Sequence, residues 1–159
     1  SMIAYKKNAL NLLDKFYKKN DTLCKSIIRS SELLLASFGA PKAKTFLSSQ
    51  LNCGGNGSDR VLNIVKYFSG TSYITGHGAK NYLDHLKFEN AGISVEYMKY
   101  GPYSWPQTFG QFNPFVSAID IVANVEFNQR KECLVKETTP WHEFLNSQSQ
   151  KVNVQKDNI

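Results

Sequence analysis

A short segment between residues 73 and 84 constrains the fold of this chain more than any other. Its sequence is YITGHGAKNYLD, in which an apolar strand pattern runs into two glycines and then into a helical pattern. Because Gly76 and Gly78 carry no side chain, the turn can approach a ligand closely, and the helix N-terminus favours an anion. The segment predicts a turn that binds phosphate or carboxylate. The plainer interpretation is a turn that needs glycine for positive φ.

The order of strand, loop and helix occurs more than once along the chain. We predict helices that begin at Ser58 and Ala79 and strands over residues 44–49, 71–75 and 93–98. Such alternation is typical of parallel sheets. The predicted fold class is therefore α/β: a small parallel sheet with flanking helices, in Rossmann-like strand-turn-helix repeats, preceded by two N-terminal helices.

The length of 159 residues suits one domain. We expect a single α/β domain over residues 3–145. Residues 146–159 are rich in Asn, Ser, Gln and Lys and have no apolar periodicity, so they are predicted to form a disordered polar tail.

Loops that leave the carboxyl ends of parallel strands share one edge of the sheet. The loop at 50–58, the glycine turn at 76–78 and an aromatic loop at 103–107 should therefore lie together. Tyr103 would offer an aromatic face to a base or sugar. Lys80 lies in the first turn of the predicted helix, where its positive charge is unfavourable with the helix dipole. An anionic ligand bound there would compensate for this charge.

A helix that is entered at Pro114 and runs to Asn124 carries polar residues on an apolar background. Ser117, Asp120 and Asn124 share one face, because residues spaced by three and four positions are neighbours on a helix. Unpaired burial of these groups would be costly. They either pair with neighbouring loops or face a ligand, and both alternatives stay open.

The formal charge of +6 makes anionic partners plausible. The excess positive charge lies mainly in the first helices, at Lys6, Lys7, Lys15, Lys18, Lys19, Lys25 and Arg29. The favoured interpretation is that these side chains form a solvated helical face. The alternative is a non-catalytic module that uses these helices to bind a partner protein or nucleic acid. Nucleic acid is the less favoured partner, because no motif of RNA-binding or DNA-binding proteins appears.

The three cysteines, at positions 24, 53 and 133, are widely spaced and form no Cys-x-x-Cys pair. Neither a disulfide framework nor a metal site is predicted, and we expect no cofactor. The longest apolar run, at 33–38, is far too short to span a membrane. We therefore expect a soluble cytoplasmic protein without a membrane partner.

Several motifs in order resemble one known family. They are YITGHGAKNYLD at 73–84, FENAGISVE at 88–96, and three elements of the form Y-x-x-x-Q, F-x-P and S-x-x-D-x-x-x-N, which fall on Tyr103, Gln107, Phe112, Pro114, Ser117, Asp120 and Asn124. Together they make the run from about residue 5 to residue 124 similar to the WbqC-like proteins.

This resemblance implies a bacterial protein of O-antigen or related surface-polysaccharide synthesis, with a phosphorylated sugar or nucleotide-sugar as ligand. The implied reaction is acyl or aminoacyl transfer to an amino sugar, which adds an acyl donor as a partner. His77 and Asp120 are the catalytic candidates. The ligand-binding candidates are Gly76, Gly78, Lys80, Tyr82, Tyr103, Gln107, Ser117 and Asn124.

The chain departs from the family in two places. Family members usually begin with an aromatic-rich segment about as long as a small domain, and this chain starts after it. If the chemistry lies in that segment, we expect this chain to bind the nucleotide-sugar without turning it over. A glycine usually follows the terminal asparagine element, whereas Val125 follows Asn124 here.

Overall fold

The computed structural model describes residues 5–16, 21–41, 43–100, 103–134 and 137–156, and side chains through residue 148. Three strands and six α-helices lie in these ranges, together with short 3-10 helices over Ser48–Gln50, His77–Asn81 and Phe127–Cys133. In chain order the elements are α1 (Lys6–Phe16), α2 (Leu23–Ser37), α3 (Gly57–Tyr67), β1 (Ser72–Thr75), α4 (His85–Asn90), β2 (Ser94–Met98), α5 (Ala118–Asn124), β3 (Thr138–Pro140) and α6 (Trp141–Lys156).

Contacts divide the chain into two compact units, each built from two segments. The helical unit comprises Ser1–Lys44 and Gly101–Leu134, and the sheet unit comprises Thr45–Tyr100 and Val135–Ile159. The single domain expected over residues 3–145 stays a prediction.

The sheet unit contains one three-stranded sheet in the order β1-β2-β3. Strands β1 and β2 pair in parallel, with Tyr73 opposite Val95, whereas β3 pairs with β2 antiparallel. The α/β class is consistent with this mixture of helices and strands. The expectation of a wholly parallel sheet was wrong, because a three-residue strand such as β3 is too short for its sequence to show a periodic pattern.

Two other predicted elements differ in the structure. Residues 44–49 form no strand and lead into the 3-10 helix at Ser48–Gln50. The helix predicted over 79–90 is divided, because the 3-10 helix ends at Asn81 and the Asp84 side chain then accepts from the backbone N–H of Lys87 (3.2 Å) to cap α4. The glycine turn thus leads into a short 3-10 helix and not into the N-terminus of a longer α-helix. The dipole of such a helix therefore no longer supports an anion site at this turn.

The core of the sheet unit is organised around Tyr97, which is fully buried. Its ring stacks on Phe144 of α6 with centroids 4.0 Å apart, and its hydroxyl shares a hydrogen bond of 2.8 Å with Nε2 of His85 in α4. Phe88, on the same buried face of α4 as His85, stacks on Tyr73 of β1. Rings carried by β2 and three neighbouring elements therefore hold the sheet against its helices.

In the helical unit, α1 packs on α2 and α5 around Phe16, Phe38 and Val122. Arg130 is also buried here, with 3% of its surface exposed. Its guanidinium donates to the carbonyls of Ser37 (3.0 Å), Val122 (3.1 Å) and Val125 (2.9 Å). A positive charge at the C-terminal ends of α2 and α5 satisfies carbonyls that these helices leave unpaired. Burial lowers the pKa of Arg130, which nevertheless stays protonated.

The ends of two helices differ from the expectation. Helix α5 begins at Ala118, and Ser117 is its N-cap, whose hydroxyl accepts from the backbone N–H of Ile119 at 3.3 Å. Helix α6 continues to Lys156, whereas a disordered tail was expected from residue 146, and residues 157–159 lie outside the described residues. Within the described ranges, every helix is too short or too polar to cross a membrane.

Replacing Arg130 should destabilise the helical unit strongly. In Arg130→Met the carbonyls of Ser37, Val122 and Val125 lose their donor, and since each buried unsatisfied group costs about 1–3 kcal/mol, we expect a loss of at least about 2 kcal/mol. Urea unfolding measures it. Lys131→Met, at an exposed position of the same 3-10 helix, is the control and should change stability by less than about 0.5 kcal/mol. Equal losses in the two variants would contradict this role.

The stability of the protein should fall in mild acid because of His85. Burial lowers the pKa of His85 below 6.5, although Asp84 acts in the opposite direction. Between that lowered pKa and the ordinary value of the unfolded chain, only the unfolded state takes up the proton, so the free energy of unfolding decreases as the pH falls through this window. Urea unfolding at several pH values should show the decrease in the wild type and a smaller one in His85→Gln.

Candidate functional site

His77 lies between the two glycines of the turn and is held in one orientation. Its Nε2 donates to the carbonyl of Met98 (2.8 Å), and its ring contacts Phe144 and Tyr100 with centroids 4.6 and 4.8 Å away. Because Nε2 carries the proton, the neutral ring has its lone pair on Nδ1. An imidazole fixed in this way can accept a proton at Nδ1.

A cavity of about 400 Å³ adjoins His77 in the sheet unit. Its walls come from the end of β2, from β3 and from the first turns of α6, with lining residues His77, Met98, Lys99, Tyr100, Thr139, Glu143, Phe144, Ser147 and Gln148. Lys99 pairs with Glu137 at 2.9 Å. The cavity thus combines an imidazole, an ammonium group and a carboxylate, which suits a polar ligand with charged groups.

The structure removes one explanation for the two glycines. Gly76 has a φ of −86°, and Gly78 also lies outside the positive-φ region. A Cβ at position 76 would lie 3.2 Å from the hydroxyl oxygen of Tyr100, whereas a Cβ at position 78 would meet no described atom within 4 Å. The interpretation that these glycines serve positive φ was therefore wrong. The close contact with Tyr100 explains why position 76 is a glycine. No contact within the described residues explains why position 78 is one.

The two other candidates of this segment lie apart from the cavity. Lys80 is exposed near the end of the 3-10 helix, and Tyr82 follows it with about half of its surface exposed. The Tyr82 hydroxyl hydrogen-bonds to Tyr73, and burial together with Tyr73 raises the pKa of Tyr82. Neither side chain lines the cavity beside His77.

Asp120 is the centre of a hydrogen-bond network in the helical unit. Its Oδ2 accepts from the indole N–H of Trp105 (2.7 Å) and from the amide of Gln107 (3.0 Å), and its Oδ1 accepts from the amide of Asn124 (3.0 Å). Asn124 in turn accepts from the hydroxyl of Thr108 (2.9 Å). Of the two alternatives for the polar face of α5, the structure shows the pairing with a neighbouring loop for Asp120 and Asn124.

A second cavity, of about 250 Å³, lies beside this network. It is lined by Gln107, Thr108, Phe109, Gln111, Asn113, Val116, Asp120 and Asn124. Gln107 is fixed twice more, because its amide donates to the carbonyl of Asn113 and its oxygen accepts from the Asn113 N–H. Tyr103 and Ser117 lie outside this lining. The ligand-binding and catalytic roles predicted for these residues stay predictions.

The sequence candidates thus fall into two groups, one in each unit. The sheet unit holds Gly76, His77, Gly78, Lys80 and Tyr82. The helical unit holds the rest, namely Tyr103, Gln107, Ser117, Asp120 and Asn124. The shared loop edge stays a prediction, but its assumption that loop 50–58 follows a strand was wrong.

Several residues of the two cavities were missed from the sequence. Glu143 and Ser147 stand one turn apart at the start of α6, and the weak periodicity of that segment gave no reason to place it against β2. The alternation of Trp105, Gln107 and Thr108 with prolines and glycines could have indicated a loop that is held by its side chains. No group of three or more His, Cys, Asp and Glu side chains within the described ranges is placed to hold a metal ion.

Removing the Asp120 carboxylate should loosen the 103–116 loop from α5. In Asp120→Ala the donors of Trp105, Gln107 and Asn124 lose their acceptor, so we expect a loss of about 1–3 kcal/mol in urea unfolding. The fluorescence of Trp105 should shift to the red as its indole meets water. Asp14→Ala, at an exposed site of α1, is the control. A loss no greater than that of the control would make Asp120 an ordinary surface residue.

The chain shares sequence with known proteins. It is 32% identical over 69 residues to the uncharacterized protein Rv1507c of Mycobacterium tuberculosis, a match that covers 43% of this chain and 30% of that protein. The chain therefore spans under a third of the length of that relative. No solved structure matches it. The model of the WbqC-like protein family matches residues 2–132, from before α1 into the 3-10 helix that carries Arg130. Since this match covers most of the chain, the chain belongs to the WbqC-like protein family.

Proposed function

We propose that this protein binds a nucleotide-activated amino sugar and takes part in acyl or aminoacyl transfer to its amine, in O-antigen or other surface-polysaccharide synthesis. The observation that carries the proposal is the cavity of about 400 Å³ in which His77, Lys99 and Glu143 line one space. Such a set of groups suits a ligand with a phosphate, an amine and hydroxyls. Membership in the WbqC-like family supports the substrate class, through the surface-polysaccharide role that the resemblance implies.

His77 is the proposed base of the transfer. As the sugar amine attacks the acyl carbon, a nitrogen–carbon bond forms, the bond from that carbon to the donor's leaving group breaks, and the amine must lose a proton. The lone pair on Nδ1 of His77 can accept this proton, because Nε2 already donates to Met98. Asp120 remains a catalytic proposal that rests on the family motif.

Lys99 and Gly78 are the proposed phosphate contacts. A ligand phosphate would compete with Glu137 for the Lys99 ammonium, and breaking this exposed ion pair costs about 0–1 kcal/mol. The space beside Gly78 would let the backbone approach the ligand. The ligand contacts predicted for Lys80, Tyr82, Tyr103, Gln107, Ser117 and Asn124 lie outside the lining of this cavity and stay separate predictions. Free thiols at Cys24, Cys53 and Cys133 support a reducing, cytoplasmic location.

The proposal is tested first by binding. Nucleotide-linked 4-amino sugars should raise the melting temperature of the chain, and Gly78→Val should reduce this shift while the melting temperature without ligand stays close to that of the wild type. Gly92→Val, at a positive-φ glycine, is the contrasting variant and should melt lower without ligand. Absence of any shift with every nucleotide-sugar would overturn the proposal.

Turnover is tested by mass spectrometry of the same sugars incubated with acyl and aminoacyl donors. If this chain carries the chemistry, His77→Ala should lower the rate by about 10²-fold or more without abolishing binding. His142→Ala, at an exposed histidine outside the cavity, should keep the wild-type rate. Equal rates in His77→Ala and the wild type would exclude His77 as the base. Binding without product from any donor would overturn the turnover proposed for this chain and leave the binding proposal in place.

The second candidate function is a non-catalytic module that binds a partner protein or nucleic acid through its N-terminal helices. Helix α2 favours it, because none of its residues is buried and Leu23, Ile27 and Leu35 are exposed. On this alternative, oligonucleotides or a captured partner would raise the melting temperature, and nucleotide-sugars would leave it unchanged.

A further inference from the structure

The cavity beside Asp120 differs in its chemistry from the cavity beside His77. Its described lining contains amides, one threonine hydroxyl, two apolar side chains and a single carboxylate, and no lysine, arginine or histidine. An anionic ligand would find no charged partner there and would meet the negative charge of Asp120. Phosphorylated sugars therefore suit the His77 cavity and not this one.

The hydrogen bonds of Asp120, Gln107 and Asn124 show what kind of ligand group these three side chains can bind. The amide of Gln107 donates its two N–H groups to the Asn113 carbonyl (2.9 Å) and to the Asp120 carboxylate (3.0 Å). The amide of Asn124 donates twice to Asp120, to its carbonyl (2.9 Å) and to its carboxylate (3.0 Å). Since a side-chain amide has only two N–H donors, these groups keep lone pairs but no protons for a ligand. Asp120 and its partners therefore favour a ligand that donates, such as a hydroxyl-bearing one.

An aromatic side chain supplies the apolar part of the same cavity. Phe109 lines it and has 71% of its surface exposed. A sugar ring presents hydroxyls at its edge and C–H groups on its faces, and these faces pack on aromatic rings. Because the network fixes Gln107, Asp120 and Asn124 before a ligand arrives, little side-chain entropy is lost on binding.

We propose that the cavity beside Asp120 binds the ring of an uncharged sugar without a phosphate. Its hydroxyls donate to the oxygens of Asp120, Gln107 and Asn124, and one face of the ring packs on Phe109. This site goes beyond the proposed function, which concerns a nucleotide-linked sugar at the cavity beside His77.

The chain offers a matched pair of variants for the test. Phe109 and Phe115 belong to the same loop and are both exposed, Phe115 by 93%, but only Phe109 lines the cavity. Neither Phe109→Ala nor Phe115→Ala removes a buried contact, so both variants should fold. Their spectra without sugar verify this.

The experiment is a titration of the isotope-labelled chain followed by NMR, with methyl glucoside and methyl N-acetylglucosaminide as neutral sugars and methyl glucuronide as the charged counterpart. We expect the neutral sugars to shift resonances of Gln107, Thr108 and Asn124. Phe109→Ala should weaken this binding about five-fold or more, whereas Phe115→Ala should leave it unchanged. The glucuronide should bind about five-fold more weakly than the glucoside, because of Asp120.

Three results would each overturn the site: no shifts with either neutral sugar, equal affinity for glucoside and glucuronide, or equal affinity of Phe109→Ala and Phe115→Ala. None of these three results would test the proposed function, which concerns the cavity beside His77. Binding of nucleotide-sugars is followed at His77, Lys99 and Tyr100 in the same spectra, and Gly78→Val alters it without touching the lining of the Asp120 cavity.

Discussion

The packing of Tyr97 is the interaction on which the sheet unit depends. Strand β2 is central in the sheet, and Tyr97 joins it to α4 through the hydrogen bond with His85 and to α6 through the stack on Phe144. Phe144 also packs on His77. The orientation of His77 therefore follows from the same cluster of rings that stabilises the core, and a change at Tyr97 would alter the position of His77 through packing.

In the helical unit, two helices end beside an apolar core, and the carbonyls at their C-terminal ends need hydrogen-bond donors. Arg130 supplies these donors to three carbonyls and not to a carboxylate. Asp120 is the counterpart in the same unit, because it accepts only from uncharged donors. Each charge is thus stabilised by uncharged groups, namely backbone carbonyls for Arg130 and indole and amide N–H groups for Asp120, and these directional hydrogen bonds fix the side chains.

Sequence patterns predicted the parallel pair β1 and β2, the two N-terminal helices and the shared face of Asp120 and Asn124, because each depends on local periodicity. The sequence patterns failed for elements whose conformation depends on contacts with distant parts of the chain. Strand β3 exists only through its pairing with β2, and the helix expected from residue 79 stops because Asp84 caps a new one. The cavity beside His77 could not be predicted, since Glu143 reaches it from a helix far along the chain.

Strand β3 passes into α6 without a connecting residue, and Pro140 stands at that junction. Proline has no N–H to offer to a further strand, so the open side of β3 is a poor template for another chain. The proline therefore disfavours growth of the sheet from molecule to molecule. A chain shortened before Thr138 would lose both β3 and α6, so that the edge of β2 over Glu96–Met98 and the ring of Tyr97 would be open to aggregation.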